Sequence, residues 1–113
     1  MKREEIYLGQ FPQGGRGGRK LRPVLLLTDP VGDVPEFVAG YISSVIPPIL
    51  LDSDFVLDPT KPEHAVTRLK AKSIVRLHKL ATVHARDLVR RLGVLPPSLS
   101  PIIEQKLRTL LSL

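Results

Sequence analysis

A chain of 113 residues with net charge +6 and no cysteine has room for one domain, residues 1–113, and excludes disulfides and thiolate catalysis. Its apolar share of 42% is that of a globular protein, while aromatics at 4% and no tryptophan exclude a binding surface built mainly from base-stacking rings. A pI near 10.1 favours anionic partners: nucleic acid, an acidic protein tail or an anionic membrane surface.

Residues 1–5 lead into no signal-peptide core, and the longest apolar stretch, 45–51, is split by Pro47-Pro48 and too short to cross a bilayer. A cytoplasmic protein is therefore expected, with no membrane role. Residues 2–11 predict a short strand with Ile6 and Leu8 on one face, ended by Pro12. The stretch 14–28, GGRGGRKLRPVLLLT, is the one around which the chain is organised. Gly14, Gly15, Gly17 and Gly18 forfeit side-chain packing, and Arg16, Arg19, Lys20 and Arg22 carry charge with no acid among them. A cationic loop rooted at a strand suits an extended anion. Residues 24–27 form a continuous apolar run, which predicts a strand buried on both faces.

After turn chemistry at Asp29-Pro30 and Gly32-Asp33, residues 36–45 predict a strand with a bulge or bend at Gly40. Residues 49–57 read as a hairpin or one bent strand, and 58–62 as a loop. Between 68 and 83, Arg68, Lys70, Lys72, Arg76 and His78 share one parity and Leu69, Val75 and Leu77 the other, so a basic loop followed by a strand over 73–83 is expected. HARDLVRRLG, with Leu88 and Leu92 four apart and Gly93 as a stop, predicts a short helix. Ser100 as N-cap, Pro101, and the stripe Ile103, Leu107, Leu110 and Leu111 predict a second. The expected architecture is mostly β with C-terminal helices (α+β): a small antiparallel sheet or open barrel with two helices packed on it.

The glycine-rich loop is no P-loop, because Lys20 is followed by Leu21 and the loop lies between strands. His78 and His84 stand about 20 Å apart on a strand, and His64 has no second ligand near it in sequence. Metal ligation is therefore not expected, and the histidines read as surface or rim residues. Arg22 sits where the loop meets a buried strand, which suits a firmly held guanidinium facing phosphate oxygens. Ser43 and Ser44 are polar residues at a strand end, of interest only if that end lies beside Arg22.

Arg22-Pro23-Val24-Leu25 after a glycine-rich loop resembles the MazF/PemK family of toxin endoribonucleases. Residues 2–11 look like the family's opening strand, Ile42-Ser43 like its third-strand Ile-Thr, and Arg68-Leu69-Lys70 to Ser73-Ile74-Val75 like its Gly-Leu-Lys…Ser-Val segment. Thr82 matches a family threonine, and the final leucine stripe corresponds to its last helix. The resemblance covers nearly the whole chain in the family's order. It implies an SH3-like, MazF-like barrel working as a homodimer. It also implies sequence-specific cleavage of single-stranded RNA, with no metal or other cofactor, by attack of the ribose 2′-hydroxyl on the adjacent phosphate. The implied catalytic residues are Arg22 and Ser43, where the family usually has threonine. Arg16, Arg19, Lys20, Ser44, Lys79 and Thr82 would contact RNA, and an antitoxin with an acidic disordered tail would cover the groove. Departures stand at Glu4-Glu5, for the family's Gly-Asp, and at Lys79 and Ala81, for its Gln and Arg. They motivate an alternative on the same fold: a module that binds RNA without cutting it, or a gyrase poison as in the related CcdB group.

Overall fold

The apolar run becomes the middle of a six-stranded antiparallel sheet in a computed structural model that describes residues 1–12 and 18–113. The strands are β1 (Glu5–Pro12), β2 (Arg19–Leu26), β3 (Glu36–Ser43), β4 (Asp54–Leu57), β5 (Ser73–His84) and β6 (Leu88–Val94). Their order across the sheet is β4-β5-β3-β2-β1-β6, and among the described residues no pairing between β4 and β6 closes it, so the expected barrel is an open one. One helix, α1 (Ser100–Leu111), follows.

Both faces of the sheet carry a core, which is why β2 reads as unbroken apolar sequence. Val24, Leu25 and Leu26 are fully buried. Leu25 packs with Ile6, Ile42, Val75 and Leu77 on one face, where Leu57, Leu95 and Ile103 of α1 complete the cluster. Val24 and Leu26 pack on the other with Tyr7, Phe11, Phe37 and Val83. Each fully buried Leu, Ile or Phe contributes roughly 1.5–3 kcal/mol.

Register breaks after Gly40, but the extra residues lie on the facing strand rather than at Gly40 itself. Gly40 pairs with Leu80 but Tyr41 pairs with Arg76, so β5 bulges through Leu77, His78 and Lys79 while β3 advances one residue.

Several expectations are corrected. The cationic residues Arg19, Lys20 and Arg22 belong to a strand rather than a loop, paired with Pro12, Phe11 and Gly9 of β1. Residues Gly14, Gly15, Arg16 and Gly17 lie outside the described residues. The predicted short helix at 84–93 is a 3-10 turn, Ala85–Asp87, followed by β6 against β1. Leucines four apart fit a two-residue period as well as a helical one, and Val89, which a helix would have buried, is 60% exposed. Gly93 is therefore no helix stop. A Cβ there would collide with the Val66 carbonyl oxygen and lie 2.5 Å from that of Thr67, so glycine lets the 3-10 turn Pro62–Thr67 press onto β6.

Within 49–57 only Asp54–Leu57 is strand, after a turn in which the Asp54 carboxylate accepts the Leu51 N–H at 2.9 Å. Ser100 begins α1 but does not cap it: its hydroxyl donates to Glu4 Oε2 at 2.5 Å. Ile103 is buried and Leu107 half-buried, whereas Ile102, Leu110 and Leu111 stay exposed.

Candidate active site

The β2–β3 ladder ends at Val24 and Tyr41. Beyond it the start of β2 and the end of β3 border a groove of about 970 Å³. Lys20 and Arg22 line it from β2, and Tyr41 and Ser43, with Ser44 just beyond, from β3. Arg68, Lys70 and Ser73 close one side; Arg90 and Arg91 of β6 complete the wall. Cations come from three separate segments, and among the described residues no Asp or Glu lines the groove. Such a lining focuses positive potential on a concave surface.

Strand pairing brings the two central candidates together. Val24 and Tyr41 face each other across the ladder, and Arg22 and Ser43 each lie two residues further along, so all four project from one face. The Arg22 guanidinium carbon stands 4.4 Å from the centroid of the Tyr41 ring. Its Nε is buried without a hydrogen-bond partner, and among the described residues it has no carboxylate partner. The Ser43 Oγ accepts the Val45 N–H at 3.1 Å, which orients the hydroxyl and leaves its proton to donate elsewhere. A ligand oxygen between them would meet a guanidinium fork and a hydroxyl donor, the pairing that stabilises charge on a phosphoryl group.

The remaining candidates divide. Lys20 and Ser44 are exposed and line the same groove. Lys79, in the β5 bulge, places its Nζ 5.1 Å from the Tyr41 centroid, on the rim of the site rather than in its lining. Arg19 turns away and bonds Asp87 at 3.3 Å. Thr82 is exposed opposite Val38 on β3 and does not join the groove. Arg16 lies outside the described residues. Tyr41 and Arg90 were not anticipated: Tyr41 read as an ordinary strand residue and Arg90 as part of a helix, and only the observed register places either here.

The titratable groups with displaced pKa values lie outside the groove. Burial pushes the Asp54 carboxyl up, but hydrogen bonds from Arg76 and the Leu51 N–H, with the Arg76 charge, outweigh it and hold the group below its ordinary value. Glu5 follows the same pattern, its burial outweighed by Arg91 and the Lys2 N–H. His64 corrects the expectation of a surface histidine: it is buried, and its Nδ1 accepts the Asp58 N–H at 2.9 Å. His78 is exposed, 4.0 Å from Asp54. Among the described residues no three His, Cys, Asp or Glu side chains converge.

Comparison with known proteins gives a consistent answer. A family model described as PemK-like, MazF-like toxin of type II toxin-antitoxin system matches residues 2–111. Endoribonuclease MazF6 of Mycobacterium tuberculosis is 30% identical over 117 aligned positions, covering 100% of this chain and 98% of the relative. Endoribonuclease MazF2 of Mycobacterium bovis matches to the same extent, 30% over 117 positions. The solved structure of the M. tuberculosis toxin MazF-mt6 superposes with a TM-score of 0.72 at 24% identity, covering 96% of this chain and 97% of that one. An endoribonuclease in complex with its cognate antitoxin, from a mycobacterial species, superposes at 0.70 with 19% identity, covering 100% and 96%. These two structures share the fold described above. By sequence, over almost its entire length, the chain belongs to the PemK-like, MazF-like toxin family of type II toxin-antitoxin systems.

Proposed function

We propose that the chain is the toxin of a toxin-antitoxin pair and acts as an endoribonuclease, a single 113-residue domain that cuts single-stranded RNA at short sequences without a metal. The observation that carries the catalytic assignment is Arg22: a half-buried guanidinium in an acid-free groove, with no carboxylate partner among the described residues, beside the Ser43 hydroxyl. Relatives covered almost end to end are endoribonucleases, which favours this reading over a gyrase poison or a module that only binds RNA.

In the proposed reaction water takes the proton of the ribose 2′-hydroxyl, the 2′-oxygen bonds to the adjacent phosphorus, and the bond to the 5′-oxygen breaks as that oxygen takes up a proton from water. The products are a 2′,3′-cyclic phosphate and a 5′-hydroxyl. Arg22 and Ser43 donate to the non-bridging oxygens as negative charge accumulates on them. Lys20, Lys79 and Ser44 contact the flanking RNA backbone, and Arg16 also contacts RNA.

The natural inhibitor is an antitoxin whose acidic, disordered tail occupies the groove; one neighbour in fold is itself an endoribonuclease bound to its cognate antitoxin. The working form is a homodimer, for which the exposed Ile102, Leu110 and Leu111 of α1 supply uncovered apolar surface. No helix among the described residues is long and apolar enough to cross a membrane, and the cytoplasm, where RNA is plentiful, is the proposed place of action. The test is incubation of the purified chain with single-stranded RNA in excess EDTA. Cleavage leaving 5′-hydroxyl ends and lost in Arg22→Ala is expected. Intact RNA with the unmodified chain, or undiminished cutting by Arg22→Ala, overturns the assignment.

A further inference from the structure

We propose that Tyr41 is a positioning residue, holding Arg22 and Lys79 by its ring so that Arg22 meets the scissile phosphate and Lys79 the backbone beside it, each with its charge intact. This rests on the nuclease reading above. The other arginines engaged by a side chain, Arg3, Arg19, Arg76 and Arg91, are held by carboxylates. A carboxylate would fix Arg22 equally well, but it would also cancel its charge and occupy the donors that an incoming phosphate needs. An aromatic face does neither. It attracts the cation through the ring quadrupole and leaves the N–H groups at the guanidinium edge free.

Three observations point to this role. The Arg22 guanidinium carbon lies 4.4 Å from the Tyr41 centroid, within the range of a cation–π contact, and its Nε is sealed from solvent without a partner. The Lys79 Nζ lies 5.1 Å from the same centroid, delivered by the bulge that β5 makes opposite Gly40 and Tyr41. The ring itself is braced by Phe11, whose centroid is 5.5 Å away in an edge-to-face arrangement at 66°. Two like charges gathered at one ring repel each other unless an anion sits with them. The assembly therefore gains most when negative charge builds up on the phosphoryl oxygens, and it acts on the chemical step more than on ground-state binding.

The experiment compares Tyr41→Phe, Tyr41→Leu and a chain carrying pentafluorophenylalanine at position 41, which keeps the ring's shape and reverses its quadrupole. Single-turnover RNA cleavage, binding of a 2′-O-methyl RNA of the cleaved sequence, and the Arg22 Nε–H resonance are measured on each. Tyr41→Phe is expected to cleave within about twofold of the unmodified chain, because the ring and not the hydroxyl holds the cations. Tyr41→Leu and the pentafluoro ring are expected to slow cleavage about tenfold with little change in binding. The Arg22 Nε–H resonance is expected to be ring-current shifted in the unmodified chain and to move toward its unstacked position in Tyr41→Leu. Cleavage by the pentafluoro chain equal to that of Tyr41→Phe overturns the proposal. So does an Arg22 resonance indifferent to the loss of the ring. If the unmodified chain cuts no RNA, the nuclease reading fails, while the resonance still decides whether Tyr41 holds Arg22.

Discussion

Two arginines on different strands of one sheet are held in opposite ways. Arg76 on β5 makes two hydrogen bonds, each 3.1 Å, to both oxygens of the fully buried Asp54 carboxylate. Arg22 on β2 rests on a ring and keeps a buried donor unused. The first arrangement spends the guanidinium on the fold, closing the turn before β4 and tying it to β5. The second leaves charge unsatisfied where a groove opens. Bidentate carboxylate pairing makes Arg76 structural, and on the proposed reading its absence leaves Arg22 available to a ligand.

Substitution should separate the two roles. Arg22→Ala should cost the most in activity, about 10²–10³-fold in cleavage rate, with a melting temperature close to that of the unmodified chain. Asp54→Ala should invert that pattern. It strands Arg76 and removes the acceptor of the Leu51 N–H, so chemical denaturation should show a loss of about 3 kcal/mol, while the fraction still folded cuts RNA normally. A smaller effect distinguishes the serines: Ser43→Ala should slow cleavage about tenfold, and Ser44→Ala, whose side chain is exposed, about twofold at most.

The smallest effect is pH dependence, and it includes the two carboxylates held by Arg76 and Arg91. Asp54 and Glu5 titrate in the folded chain below their ordinary values, Asp54 because Arg76 and the Leu51 N–H outweigh its burial, Glu5 because Arg91 and the Lys2 N–H do. Their contribution to stability is complete above the unfolded carboxylate range, about pH 4, and is lost as pH falls through the lower folded values. Denaturation midpoints measured from pH 6 down to pH 2 should fall in that window, and the fall should shrink in Asp54→Ala.

How much of this was legible in the sequence depends on whether a signal was local. The apolar run of β2 declared burial on both faces because no polar residue interrupts Val24, Leu25 and Leu26. Gly40 declared an irregularity, though the extra residues lie across from it in β5, the alternation from Ser73 onward declared β5, and Ile103 with Leu107 declared the last helix. β6 was misread because Leu88 and Leu92 satisfy two periodicities at once, and only pairing with β1 chooses between them. The Arg19–Arg22 stretch was misread because glycines beside it suggested a loop, while its partner strand was not visible locally. Arg22 and Ser43 were singled out by the order of motifs along the chain. Tyr41 was not, because its relation to Arg22 exists only in the register between two strands joined by a long connection.

Gly93 carries a consequence beyond the fold. The turn it admits ends at Thr67, and the next residues, Arg68 to Lys70, form a wall of the groove. A hydrogen atom in place of a methyl group on β6 thus acts as a spacer that fixes the width of a cleft it never touches. Any larger residue at 93 would collide with the backbone of Val66 and Thr67, immediately before that wall.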